Sequence, residues 1–211
     1  MDDESCHQSI GMDAQKKTLG ASERDEDARK AFREQIKGID ASKLLVVDET
    51  GSNIGLTPLY ARAPQGERAI DHIPRNRGKN TTLLASLSLE GMGPAMILEG
   101  ATDTPAFQAY VEQVLTKSLL PGQIVLMDNL SAHLGPMVQA AIEAKGCQLL
   151  FLPAHSPDLS PIEEAFSKLK AFLRQLKART KQDLYEALSR ALDLITAQDA
   201  QGFFSHCGYA C

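Results

Sequence analysis

Two short apolar runs, each ending in an aspartate, constrain the fold of this chain most strongly. Residues 44–47 (L-L-V-V) precede Asp48, and residues 124–127 (I-V-L-M) precede Asp128. A continuous apolar run of this length is typical of a strand that is covered on both faces. The chain is therefore predicted to contain a sheet with helices packed on its faces.

The order of the predicted elements indicates a mixed sheet. The predicted strands cover residues 44–48, 57–63, 81–89, 94–98, 124–127 and 147–152. The predicted helices cover residues 22–37 (capped by Ser22), 102–119 (capped by Thr102 or Asp103), 131–145, 161–178 and 180–197. Consecutive strands followed by alternating helices and strands favour an α/β fold, in which an antiparallel meander is extended by parallel crossovers. Residues 1–20 show little periodicity and are predicted to be a flexible tail, which leaves residues 21–211 as one domain.

The composition fits a globular protein without a membrane span. Of the 211 residues, 43% are hydrophobic and 23% are charged, which is ordinary for a soluble domain. No apolar stretch approaches the roughly 18 residues that a transmembrane helix needs. The acidic start, M-D-D-E-S-C-H, is unlike a secretory signal. We therefore expect a cytoplasmic location and no membrane partner.

The net charge of −5 conceals two basic groups that could contact a polyanion. Residues 1–27 hold eight acids against three bases, whereas later segments are locally basic. The first basic group, here called the basic loop, lies before the predicted strand at 81–89 and consists of Arg75, Arg77 and Lys79. The second, here called the basic row, lies seven, eleven and fourteen residues after Glu163 on one helix side and consists of Lys170, Arg174 and Lys177. Both groups are candidate DNA-phosphate contacts, and a solvated charged surface is the alternative for the row.

Three carboxylates are the candidate catalytic and metal-binding residues. Asp48 and Asp128 follow predicted strands, and Glu163 lies in S-P-D-L-S-P-I-E-E, with 34 residues between it and Asp128. Ligands of open α/β sheets bind at the carboxyl ends of strands. Two Mg²⁺ ions roughly 3.5–4 Å apart, held by carboxylates, can activate an attacking oxygen and stabilise a leaving one. Asp48 is predicted to bridge the two ions, with Asp128 and Glu163 each holding one of them.

Each acid also has a purely structural interpretation. Aspartate is common at turns, so Asp48 and Asp128 could simply begin turns. Ser160 and Glu163 have the spacing of a capping box with proline at the first helical position. Glu164 competes with Glu163 as the third ligand.

His133 has two open interpretations. It follows Asp128 by five residues in D-N-L-S-A-H, and it could contact a phosphate or a metal-bound water. A histidine at a helix start that is satisfied by local hydrogen bonds is the alternative.

The acid-containing motifs resemble the Asp-Asp-Glu catalytic domain of mariner-superfamily transposases. The matching segments are D-E-T-G, V-L-M-D-N-L-S-A-H and L-P-A-H-S-P-D-L-S-P-I-E-E-A-F-S-K-L-K. The third is similar to the family form L-P-x-Y-S-P-D-L-N-P-I-E, with His155 in place of Tyr and Ser160 in place of Asn. The resemblance covers roughly residues 20–200, and the bacterial insertion-sequence branch is the most similar.

The resemblance implies a fold, a chemistry and partners. It implies a ribonuclease-H-like fold in which Asp48, Asp128 and Glu163 bind two Mg²⁺ or Mn²⁺ ions. It also implies hydrolysis at transposon ends, followed by attack of the freed 3′-hydroxyl on target DNA, in a homo-oligomer associated with the bacterial nucleoid. Such transposases begin with helix-turn-helix modules, which this sequence does not show, so a separate helix-turn-helix polypeptide is a possible partner.

Two rival functions remain open at the level of sequence. One is a catalytically silent or regulatory transposase fragment that only binds DNA or a partner. The other is a phosphatase that uses Asp48 as its nucleophile. Phosphatases of that class carry a second aspartate two residues later, where this chain has Thr50.

Overall fold

The computed structural model describes residues 21–130 and 135–211. The predicted tail at 1–20 lies outside the described residues, as do Ser131, where a helix was expected to begin, and His133. No helix in the described part of the chain is long and apolar enough to cross a membrane.

A five-stranded mixed sheet forms the centre of the molecule. Its strands are β1 (Leu44–Ser52), β2 (Thr81–Ser88), β3 (Gly91–Glu99), β4 (Ile124–Met127) and β5 (Gln148–Phe151). Their order across the sheet is β3-β2-β1-β4-β5. The β1–β2 and β2–β3 pairs are antiparallel, and the β1–β4 and β4–β5 pairs are parallel. The predicted meander with parallel additions is confirmed, and β1 is the central strand where the two pairing types meet.

Helices cover both faces of this sheet. They are α1 (Glu26–Ile36), α2 (Thr104–Gln113), α3 (Pro136–Glu143), α4 (Pro161–Leu176), α5 (Lys181–Leu192) and α6 (Ala197–His206). One buried cluster joins the sheet to α1, α4, α5 and α6, and a second joins it to α2 and α3. Leu44 and Val46 of β1 belong to the first cluster, whereas Leu45 and Val47 belong to the second. This alternation explains the continuous apolar run, because side chains of a strand point to opposite faces and both faces are covered here.

The predicted strand at residues 57–63 is wrong. Strands β1 and β2 pair as far as Ser52 and Thr81, so residues 53–80 form a long connection outside the sheet. Leu59 and Tyr60 in this connection are largely exposed. Residues 57–63 pair with no strand of the sheet, so the apolar residues that suggested a strand do not form one.

Several predicted helix boundaries also differ from the structure. Helix α1 is capped by Asp25, whose side chain accepts a 2.9 Å hydrogen bond from the Ala28 amide, and not by Ser22. The second helix ends at Gln113, with a short 3₁₀ helix after it, and α3 begins at Pro136. The predicted helix at 180–197 ends earlier, at Leu192, and α6 follows as a separate helix that was not predicted. A capping box between Thr196 and Asp199 begins α6.

Candidate active site

The strand register places Asp48 and Asp128 at the same level of the sheet. In the parallel β1–β4 pair, Val47 is the partner of Met127, and each aspartate is the next residue of its chain. Asp48 is itself still in the sheet, where it pairs with Ala85 of β2. The two carboxylates therefore arise from neighbouring strands, one from inside the ladder and one from just beyond it.

Glu163 reaches the same place from the start of α4. Asp48, Asp128 and Glu163 all line one cavity of about 320 Å³. The other walls are formed by Asn129, Leu130, Ser160 and residues 152–157. The structure thus brings together the three acids that the sequence selected, across sequence separations of 80 and 35 residues.

The pKa of the Asp48 carboxyl lies well above its ordinary value. The pKa of Asp48 is raised from 3.8 to about 7, mainly by burial and in smaller part by the negative charges of Asp128 and Glu163. A 2.7 Å hydrogen bond from the Glu49 amide to Asp48 Oδ1 acts in the opposite direction. The cavity therefore concentrates negative charge that a bound cation would offset.

The structural interpretations of the acids are only partly supported. Asp48 does not begin a turn, because β1 continues to Ser52. Asp128 Oδ1 does accept a 3.3 Å hydrogen bond from the Leu130 amide, as a turn aspartate does. The predicted capping box at Ser160 and Glu163 is absent, since the Ser160 side chain makes no capping hydrogen bond.

Glu164, the competing third ligand, has a different neighbour. Its carboxylate contacts Nδ1 of His206 at the end of α6, and it is not among the residues that line the cavity. The geometry favours Glu163 over Glu164 as the residue that faces the two aspartates.

The donor set fits a hard divalent cation. Mg²⁺ and Mn²⁺ prefer carboxylate oxygens, which Asp48, Asp128 and Glu163 supply. His155 also lines the cavity, and no cysteine does among the described residues. Among residues 21–130 and 135–211, no three His, Cys, Asp or Glu side chains converge closely enough to hold one ion together.

Comparison with known proteins decides the family. The family model of the DDE superfamily endonuclease matches residues 43–185, which include all three acids. The chain belongs to the DDE superfamily endonucleases. The enzyme class predicted from the motifs is thereby confirmed at the level of this family.

Solved structures with the same fold include several of the Mos1 mariner transposase. The DDE endonuclease chain superposes on the Mos1 transposase paired-end complex with left transposon end with a TM-score of 0.75 at 16% identity, covering 95% of this chain and 68% of that chain. It superposes on the Mos1 mariner paired end complex with Mn with a TM-score of 0.74 at 16% identity, covering 94% and 65%. The isolated Mos1 catalytic domain gives a TM-score of 0.58 at 15% identity, covering 86% and 84%.

These comparisons confirm the ribonuclease-H-like fold. The chain spans about two thirds of the length of the Mos1 chains in the DNA complexes. No curated protein sequence matches it significantly.

The end of the basic row of this endonuclease contacts the 53–80 connection. Lys177 directly follows α4 and lies 2.8 Å from Asp71, which belongs to that connection. Arg179 donates hydrogen bonds to the carbonyl oxygens of Ile54 and Leu56 in the same connection, at 3.2 and 2.9 Å. The connection that carries the basic loop is therefore attached to the residues that follow α4.

The cations of the basic loop and of the basic row differ in whether a carboxylate of the protein already pairs with them. The side chains of the basic loop, Arg75, Arg77 and Lys79, are exposed. Lys170 and Arg174 are half-buried, and no ion pair of either residue is present in the described part of the chain. Lys177 differs, because it forms an ion pair with Asp71.

Sequence reasoning did not identify the residues that hold the cavity wall in place. Arg29 of α1 donates two hydrogen bonds to Asp158, at 3.0 and 2.7 Å, across 129 residues of sequence. A local signal did exist: Arg29 shares the apolar side of α1 with Phe32 and Ile36. A charged residue on an apolar helix face indicates a buried partner, although the sequence does not reveal which one.

Proposed function

We propose that this chain is the catalytic part of a metal-dependent DNA transposase, which cleaves DNA strands at the ends of an element and joins the freed 3′ end to target DNA. One observation carries the proposal: Asp48, Asp128 and Glu163 line a single cavity in a chain of the DDE superfamily endonucleases. Carboxylates brought together in this way can hold the divalent metal ions that catalyse phosphoryl transfer.

The three acids are the proposed metal ligands. Asp48 lies in the central strand β1, Asp128 directly follows β4, and Glu163 lies in the first turn of α4. Together they would hold the divalent ions. Two divalent ions held in this way activate the attacking oxygen and stabilise the leaving oxygen of a phosphodiester.

The cavity opens toward solvent on the side where Asn129 and Glu163 are exposed. A DNA strand would approach from this side, with its phosphates along Lys170 and Arg174 of α4. The basic loop would contact the strand farther from the reacting phosphate. Fixed cations along the path of the strand attract phosphates without reading sequence.

The crystallised complexes of the Mos1 transposase support the choice of substrate. That transposase has been crystallised as a paired-end complex with Mn, as one with Mg and as a strand transfer complex. We propose transposon ends and target DNA as the substrates of this chain, with Mg²⁺ or Mn²⁺ as the cofactor. A homo-oligomeric active form, a helix-turn-helix polypeptide that recognises the ends, a bacterial insertion-sequence origin and a nucleoid-associated cytoplasmic location complete the proposal.

Nicking of supercoiled plasmid in the presence of Mn²⁺ tests the catalytic proposal. Wild type should convert supercoiled DNA to nicked and linear forms, and Asp48→Asn, Asp128→Asn and Glu163→Gln should each abolish the conversion. Glu164→Gln is the matched control, because it changes the adjacent acid by the same chemistry and should retain activity.

Two results would contradict the proposal in different ways. If wild-type protein produced no nicks beyond those produced by Asp128→Asn, the silent or regulatory fragment would be the correct alternative. If Glu164→Gln lost activity while Glu163→Gln retained it, the third ligand would be the adjacent glutamate.

A further inference from the structure

A buried arginine outside the family-matched region holds one wall of the cavity. Arg29 is only 2% exposed, and it belongs to α1, which precedes the matched residues 43–185. Burying a guanidinium group is unfavourable unless a carboxylate and hydrogen bonds compensate for the lost water. The residue that pairs with Arg29 therefore indicates what Arg29 does.

That partner is Asp158, in the loop of residues 153–160 that lines the cavity. Arg29 Nη1 and Nη2 lie 3.0 and 2.7 Å from the two oxygens of Asp158. Paired hydrogen bonds of this kind fix both the distance and the orientation of the two groups. The side chain of Glu26 lies 3.3 Å from the Nε of Arg29 and completes its surroundings.

The backbone of this loop adopts a conformation that needs outside support. His155, which lines the cavity, has a φ of 56°, in the left-handed region that residues with a side chain rarely adopt. Arg24 Nε donates a 3.1 Å hydrogen bond to the carbonyl oxygen of His155, and its Nη2 lies 3.2 Å from Asp158. Arginines from the start of the chain therefore hold this loop at two points.

The other end of the chain holds the same loop. The Tyr209 hydroxyl donates a 2.8 Å hydrogen bond to the carbonyl oxygen of Leu159, and Tyr209 is only 3% exposed. Leu159 is followed directly by Ser160 and by the first turn of α4, which carries Glu163. A displacement of the loop would therefore move both the cavity wall and the third acid.

We propose that Arg29, acting through Asp158, is a positioning residue that fixes the loop of residues 153–160 and the start of α4 relative to Asp48 and Asp128. The inference rests on the proposed function. It adds that segments on both sides of the family-matched region set the geometry of the metal-binding acids. Loss of the arginine should therefore weaken metal binding and not only stability.

Mn²⁺ binding and plasmid nicking by full-length variants test this role. Arg29→Met removes the charge and the paired hydrogen bonds, and Arg29→Lys keeps the charge but loses the planar pair. Lys30→Met is the matched control, since it removes a cation from an exposed position of the same helix. Mn²⁺ dissociation constants come from isothermal titration calorimetry, and melting temperatures identify a temperature at which all variants are folded.

At that temperature, Arg29→Met should weaken Mn²⁺ binding at least tenfold and slow nicking at saturating DNA by at least tenfold. Arg29→Lys should give intermediate values, and Lys30→Met should match wild type. If Arg29→Met does not fold, Arg29→Lys decides the question by the same measurements.

Folded Arg29 variants with the Mn²⁺ affinity and nicking rate of Lys30→Met would overturn the inference. That result leaves the proposed function intact, because wild type would still nick DNA. Failure of wild type itself to bind Mn²⁺ or to nick DNA would instead contradict the proposed function.

Discussion

Lys177 and Asp71 form an ion pair across the boundary between α4 and the 53–80 connection, with the Lys177 nitrogen 2.8 Å from Asp71 Oδ2. The hydrogen bond from Lys177 is the main reason why the pKa of Asp71 lies well below its ordinary value. Thr57 adds a 2.5 Å hydrogen bond to the same carboxylate. The last cation of the basic row is therefore occupied by the protein itself, which separates its role from those of Lys170 and Arg174.

This difference predicts unequal contributions to DNA binding. A plot of the logarithm of the DNA-binding constant against the logarithm of the salt concentration has a negative slope. Lys170→Ala and Arg174→Ala should each make this slope less steep by about 0.9, the value expected for the loss of one phosphate contact. Lys177→Ala should change the slope less, because its cation is already paired with Asp71. Fluorescence anisotropy with a labelled duplex at several salt concentrations measures all three slopes. Equal slopes for the three variants would contradict the distinction, and unchanged slopes would remove α4 from the DNA-binding surface.

The acidity of Asp48 predicts a specific dependence of stability on pH. Burial and the charges of Asp128 and Glu163 raise its pKa from 3.8 to about 7, so the folded state binds this proton more tightly than the unfolded chain does. The free energy of unfolding of the metal-free protein should therefore fall as the pH rises from about 4 to about 7, and should level off above that. The shift corresponds to at most about 4 kcal/mol.

Asp48→Asn isolates this contribution. The variant cannot ionise at this position, so it should equal wild type near pH 4 and be more stable than wild type at pH 7 and above. Urea denaturation in the presence of EDTA across this range provides the measurement. Asp193→Asn changes an exposed carboxylate in the same way and should keep the wild-type profile. Parallel curves for wild type and Asp48→Asn would show that Asp48 ionises without a penalty.

The starts of α6 and α4 predict unequal losses of stability for the same kind of substitution. Thr196 and Asp199 form a complete capping box at α6, whereas the side chain of Ser160 makes no capping hydrogen bond at α4. Thr196→Ala should therefore cost about 1 kcal/mol of unfolding free energy, and Ser160→Ala should cost clearly less. Chemical denaturation of both variants measures the difference. A larger loss in Ser160→Ala would show that a capping interaction does form there in solution.

The sheet and the convergence of Asp48, Asp128 and Glu163 on one cavity could be predicted, because both follow from local sequence patterns. The apolar runs before Asp48 and Asp128 indicated buried strands, and the order of the elements along the chain indicated an antiparallel meander extended by parallel strands. The capping box at Ser160 had the correct residue types, but Glu163 lies in the wall of the cavity instead. Sequence spacing shows which interactions are possible locally, and it cannot show which one tertiary packing selects.

The long-range contacts that hold the cavity loop in place could not be predicted in the same way. The contacts of Arg29 with Asp158 and of Tyr209 with Leu159 join residues 129 and 50 positions apart, and no periodicity relates such partners. Residues 57–63 were assigned as a strand because they contain apolar side chains, and the absence of a neighbouring strand is visible only in three dimensions. Helix α6 was missed because its short apolar pattern follows α5 so closely.

Helix α6 provides a test of whether the C-terminal residues belong to the catalytic domain. Phe204 is fully buried in the core cluster shared with α4 and α5, and its ring lies 5.7 Å from that of Tyr209. Phe204→Ala should cost about 3–5 kcal/mol, the usual loss for a buried phenylalanine. Phe203→Ala is the matched control, since the adjacent ring is only partly buried and should lose less. Equal, small losses in both variants would show that α6 packs loosely and that the domain ends before it, whereas the expected difference would make α6 part of the structure that supports Glu163.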